Sequence, residues 1–217
     1  MCALTVFFTV YHGRIFRQSP PLGNLPTPAY TSPPTPVSGR SSPHSPPLII
    51  SEHLNDSTDV HASKIKPYIC FGFKVEDAIV YISDVSHIPE DVWPLLLEPA
   101  VNGQRTPVFV VDCLRLTPHT SHFGIKDAVA TVRRVNAERS YMTGFGHEIS
   151  YEEYVDILKY AGDPESKLEN MTENVHAALN LIADEAGIPR RQCIKPAYDG
   201  LRIRIAANGG VRDDTDA

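Results

Sequence analysis

Long apolar runs, surplus positive charge and paired cysteines are all scarce in this 217-residue chain, and each scarcity removes a class of function. No stretch of about eighteen apolar residues occurs, so no membrane span is expected. Lys and Arg number 20 against 26 Asp and Glu, a formal charge of −6. That balance argues against the basic face a broad nucleic-acid footprint needs. The cysteines, Cys2, Cys70, Cys113 and Cys193, are scattered with no CxxC pair, and Cys70 and Cys113 sit inside apolar runs as core thiols. A reducing compartment is therefore expected, cytoplasmic with the nucleus as alternative. The apolar opening Met1 to Val10 carries neither a basic n-region nor a small-residue cleavage site, so no signal peptide is expected.

Proline, by contrast, is abundant, and it crowds between Gln18 and Pro47 among Ser, Thr and Gly. Such a segment cannot bury enough to order itself and should be extended or disordered. The polar, aperiodic stretch to Lys66 continues it, giving an expected insert over 18–66. Ser32-Pro33, Thr35-Pro36, Ser42-Pro43 and Ser45-Pro46 suit a proline-directed kinase, and Pro33 to Pro36 is a PxxP that an SH3 or WW domain would read. The plainer account is a long surface-loop insert, since loop closure costs rise only logarithmically with length.

The rest alternates strand and helix patterns, the mark of an α/β fold. A short strand at Ala3 to Val10 closes the piece 1–17 and leads to His12-Gly13. Order resumes in 67–206. Tyr68 to Val75 and Ala78 to Ile82 read as a hairpin joined by Glu76-Asp77. The second of these stops at Ser83-Asp84. A short helix is expected over Glu90 to Leu97, and an apolar strand, Pro107 to Val111, ends in Asp112. His119 and His122 follow on a loop before a helix in which Ile125, Ala128, Val129, Val132 and Val135 share one face. Arg139 to Thr143 then leads to Gly146-His147. Helices are expected from Tyr151 to Tyr160 and from Glu173 to Ala186, and a strand from Leu201 to Ile205 with Arg202 and Arg204 outward. The tail 207–217 is expected to fray.

Separate strands thus end in His12, Asp84 and His147, with the His119/His122 loop nearby. Imidazole and carboxylate at one sheet edge suit zinc, manganese or iron with a position open to water. In this order the segments Tyr-His-Gly at 11–13, Tyr-Ile-Ser-Asp at 81–84, Ser-His-Phe-Gly-Ile-Lys-Asp-Ala at 121–128, Gly-His-Glu at 146–148 and Ala-Tyr-Asp-Gly-Leu at 197–201 resemble motifs of the metallo-β-lactamase superfamily. The resemblance is to the branch of the phosphoribosyl cyclic-phosphate phosphodiesterases, with tRNase Z more distant. It implies the C-terminal part of an αββα sandwich binding two divalent metal ions, zinc or manganese. His12, Asp84 and His147 would be ligands and Asp84 the bridge between the metals. His122 would donate a proton to the leaving oxygen of a small phosphodiester-type substrate.

The His-x-His-x-Asp-His signature of that superfamily is absent from the chain. Taking the chain as it begins, each metal is expected to have at most two protein ligands. The sheet should then present an exposed apolar face and an open edge. Three readings follow: a truncated metal-dependent hydrolase, inactive in isolation; a non-catalytic remnant or isoform that acts by binding; and an unrelated α/β protein whose histidines are incidental.

Overall fold

The computed structural model describes residues 4–7, 10–11, 14–15, 48–53, 68–98, 103–183 and 191–216. Its centre is a six-stranded mixed sheet in the order β4 (Leu48–His53), β5 (Tyr68–Val75), β6 (Ile79–Ile82), β7 (Val108–Asp112), β8 (Arg139–Thr143) and β9 (Cys193–Pro196). Strands β4 to β6 pair antiparallel and β6 to β9 pair parallel. Parallel neighbours need crossover connections. The helices α1 (Trp93–Leu97), α2 (Ile125–Val135), α3 (Tyr151–Gly162) and α4 (Glu173–Ala183) supply them.

The apolar stripe of α2, with Trp93, Leu96, Tyr154, Ile157, Val175 and Ile182 from the other helices, packs on one face of this sheet against Val80, Ile82, Phe109, Val111 and Met142. The opposite face is covered by a three-stranded sheet, β1 (Leu4–Phe7), β10 (Arg202–Ile205) and β11 (Val211–Asp213), in the order β1-β10-β11. Ile203, Ile205 and Val211 meet Ile79, Val108, Val110 and Tyr141 there. A short hairpin, β2 (Val10–Tyr11) with β3 (Arg14–Ile15), completes the strands. The layers are helix, sheet, sheet, so β7 is buried on both sides along its length, which is why it reads as a continuous apolar run.

The hairpin β5–β6 forms as expected, with Glu76 in the left-handed region (φ 49°) and Ala78 N–H donating to Val75 O. Helix α2 spans the expected residues and ends on Asn136, also left-handed at φ 53°. Helix α3 starts on a capping box in which Ser150 accepts from Glu153 N–H while the Glu153 carboxylate accepts from Ser150 N–H.

Some expectations are corrected. Leu48–His53, inside the segment 18–66 expected to be unordered, is a strand paired with β5, and the rest of that segment lies outside the described residues. Its β-branched Ile49 and Ile50 find a ready partner in the edge of β5. Helix α1 begins at Trp93 rather than Glu90, because Val92 N–H closes a turn onto Pro89 O first. Among the residues whose burial is described, the exposed apolar side chains of the large sheet are Phe71, Phe73 and Val75 on β5, while the small sheet covers the face further along.

The chain end is the largest departure. Asp213, expected in a frayed tail, is a buried carboxylate that accepts hydrogen bonds from Tyr141 Oη (2.6 Å), Arg139 Nη1 (3.1 Å) and Lys195 Nζ (3.0 Å). Asp216 joins it, 2.6 Å from Arg139. Burial alone would raise the Asp213 pKa, but the bonds from Thr215, Tyr141 and Lys195 outweigh it and hold the group well below the usual range. Asp216 is lowered to about 2, chiefly by Arg139.

Both groups are therefore easier to ionise folded than unfolded. Their stabilisation is complete above the ordinary carboxylate pKa near about 4 and is lost as the pH falls toward about 2. Asp213→Asn should cost about 1–3 kcal/mol, since it removes the buried carboxylate that Tyr141, Arg139 and Lys195 share and leaves the two cations only Asp216. It should also flatten acid unfolding below about pH 4. Urea titrations of both proteins across that range check this, and an unchanged midpoint would refute it.

Candidate functional site

Strands β6 and β7 run parallel with Ile82 opposite Val111, so they end side by side. Asp112 closes β7, and Asp84 stands two residues beyond β6. The segment from Cys113 to Gly124 then folds back on itself. Leu114 N–H donates to Phe123 O, the backbone of Arg115 bridges to that of Gly124, and His119 and His122 exchange backbone bonds at the tip. A Cβ on Gly124 would come within 2.8 Å of Leu116 O and closer still to Thr117 and Pro118, so only glycine permits this crossing.

The folded loop carries the His122 ring to the strand ends. His122 Nδ1 lies 2.8 Å from Asp112 Oδ2, and Nε2 lies 3.8 Å from Asp84 Oδ1. Asp112 is almost fully buried, and burial pushes its pKa up to about 7. The adjoining His122 opposes that rise, whereas the charge of Asp84 adds to it. The geometry suits an Nδ1–H donating to the carboxylate, which fixes the ring's orientation and turns Nε2 toward Asp84.

Asp84 has the opposite surroundings. Its side chain is 51% exposed and its backbone is left-handed at φ 55°. Ser83 Oγ donates to its Oδ2 at 3.0 Å. Gly144 lies on the other flank with φ 78°, and a Cβ there would meet Asp112 Oδ1 at 2.5 Å. Gly146 N–H donates to Leu114 O at 2.6 Å, tying the chain after β8 to the loop of His122.

The structure thus joins Asp84 and His122, two of the predicted residues, and adds Asp112, which sequence reasoning left as a strand end. His147 stands on an exposed turn, and His12 lies outside the described residues. Among the described residues no group of three His, Cys, Asp or Glu side chains is placed to hold a metal ion. The described donors do not fit a two-metal centre: His122 gives Nδ1 to Asp112, which leaves Asp84 and Nε2 as the outward-facing pair. What the array can do unaided is hold and pass a proton at Nε2. Cys113, buried beside it, is no nucleophile, because burial drives its thiol pKa far up.

No family model and no curated protein matches this chain. Among solved structures it is similar to a diphosphatase from the PhnP family, at 18% identity and a TM-score of 0.41, covering 64% of this chain and 39% of that one. It is also similar to the metallo-β-lactamase fold protein YhfI from Bacillus subtilis, at 10% identity and a TM-score of 0.38, covering 73% of this chain and 48% of that one. The chain spans less than half the length of either.

A carboxyl with a folded pKa raised to about 7 destabilises the fold as it ionises, so Asp112 lowers stability progressively as pH rises from about 4 to about 7. Asp112→Asn removes that slope while keeping an acceptor for Nδ1–H. Comparing denaturation midpoints of the two proteins across that interval tests it, and parallel curves would contradict the assignment. Gly144→Ala should cost about 1–3 kcal/mol in strain and push the Asp112 carboxylate off His122. A thermal midpoint equal to wild type would show that the approach is not a constraint.

Proposed function

We propose that this chain carries the acid–base part of a metallo-β-lactamase-type hydrolase of phosphodiester bonds. The observation that carries the reading is the Asp112–His122 bond, with Nε2 aimed past Asp84 at the ends of two parallel strands. The order of motifs around it, described above, supports the family. In this reading His122 Nε2–H protonates the leaving oxygen of the substrate, Asp112 holds the ring in place, and Asp84 faces the substrate side. Two divalent metal ions, zinc or manganese, belong to the intact family. Here Asp84, His147 and His12 are assigned to them by resemblance, and no step is derived through them.

A second reading, a non-catalytic remnant or isoform that acts by binding, draws on the lack of a three-donor metal group among the described residues and on the exposed Phe71, Phe73 and Val75. The readings differ in metal content and turnover. The purified 217-residue chain, offered zinc or manganese, should retain fewer than two ions per molecule. It should hydrolyse bis(p-nitrophenyl) phosphate no faster than buffer. Two tightly held ions, with turnover that vanishes in His147→Ala, would overturn the incomplete-centre view and establish an active hydrolase.

A further inference from the structure

The loop that carries His122 also carries a guanidinium with an unmet need. Arg115 Nε is buried and has no hydrogen-bond partner among the described residues. The half-buried cations of the small-sheet face are treated differently: Arg139 and Lys195 each meet Asp213 and Asp216. Lys74 reaches Glu98, and Arg134 pairs with Glu90 while lying over the Trp93 ring. A buried donor without an acceptor loses its water and gains nothing in return, so an orphan of this kind asks for an explanation, such as a missing ion.

Its position supplies one. Arg115 is three residues past Asp112, and its backbone is bridged to Gly124, two residues past His122. Its carbonyl also lies 3.9 Å from Cys113 Sγ. The backbone is thereby fixed beside the Asp112–His122 pair. The site otherwise offers an anion two carboxylates, Asp84 and Asp112, both repulsive. An anionic substrate needs a compensating cation, and guanidinium presents a planar fork matched to phosphoryl oxygens.

We propose that Arg115 is the anion-binding residue of this site, its guanidinium taking the non-bridging oxygens of a phosphodiester-type ligand. The proposal rests on the reading of the site given above and adds the residue that recognises the phosphoryl group. His122 then addresses the leaving oxygen while Arg115 holds the oxygens that do not leave.

The test is binding, not turnover. Metal-free full-length chain is titrated with dimethyl phosphate and with inorganic phosphate while backbone amide resonances are followed. The expected result is saturable shifts at Arg115, Leu116 and Gly124. Affinity should fall at least tenfold in Arg115→Ala and less in Arg115→Lys, which keeps the charge but loses the fork. Arg204→Ala, on the outer surface of the small sheet, should bind as wild type. Should Arg115→Ala fail to fold, the lysine variant decides alone: affinity equal to wild type would overturn the proposal. So would a wild-type spectrum unmoved by either phosphate, or an alanine variant that binds unchanged. Phosphate binding through Arg115 in a chain whose His122 ring resonances are unmoved by either phosphate would leave the proposal standing and remove the acid–base reading of His122. Turnover whose KM is untouched by Arg115→Ala would do the reverse.

Discussion

A carboxylate buried at the end of the central strand sets the terms for its surroundings. Burial makes the ionised form of Asp112 costly, and a buried charge persists only where it is paired and hydrogen-bonded. The one charged partner within bonding distance is His122, 2.8 Å away, and holding it there requires the whole return of the Cys113–Gly124 loop. The same need explains two glycines. Gly124 lets the loop cross its own backbone, and Gly144 leaves room for Asp112 Oδ1. Packing on both faces of β7 brings the carboxylate to this depth, and the loop answers for it chemically.

Asp213 solves the same problem on the opposite face by another route. There the carboxylate stays ionised because Tyr141, Arg139 and Lys195 converge on it from β8 and β9. A buried ion pair is weak support for net stability, but it is strict about register. Arg139 and Asp213 are 74 residues apart in sequence, so the pairing fixes how the small sheet lies on the large one. That choice positions Ile203 and Val211 over Val108 and Val110, and it leaves Phe71, Phe73 and Val75 uncovered.

What could be read in the sequence was what depends on neighbours in sequence. Helix α2 announces itself by the spacing of Ile125, Ala128, Val129, Val132 and Val135, and β10 by its alternation of arginine with isoleucine. The tail could not be read, because its order comes from partners on β8 and β9 and its own composition is polar. Strand β4 was hidden by the proline-rich run before it and needs the edge of β5 to form. At the site, Asp84 was legible as a carboxylate closing an apolar segment, and His122 as one of two histidines on a loop ahead of an amphipathic helix. Asp112 carried the same signal, an uninterrupted apolar strand ending in a carboxylate, but nothing near it in sequence marks it as the partner of His122. Gly144 and Gly146 were legible only as the glycines ahead of His147. Their work lies elsewhere: Gly144 makes room for Asp112, and Gly146 bonds to Leu114.

The two carboxylates flanking His122 are the same chemical group in unlike settings, and the difference assigns their tasks. Asp112, sealed from water, is expensive to charge, so its use is to orient the imidazole. Asp84 is half exposed, supported by Ser83 and held in a left-handed backbone that turns it out of the strand line. It stays within reach of water, ions or substrate. Environments that push paired titratable groups apart are how acid and base roles are separated at one pH. In the proposed reading, proton transfer would run through Nε2, between an inner carboxylate that fixes the ring and an outer one that faces the ligand. An outward carboxylate alone would repel an anionic substrate, so a cation on the same loop becomes a requirement of the arrangement.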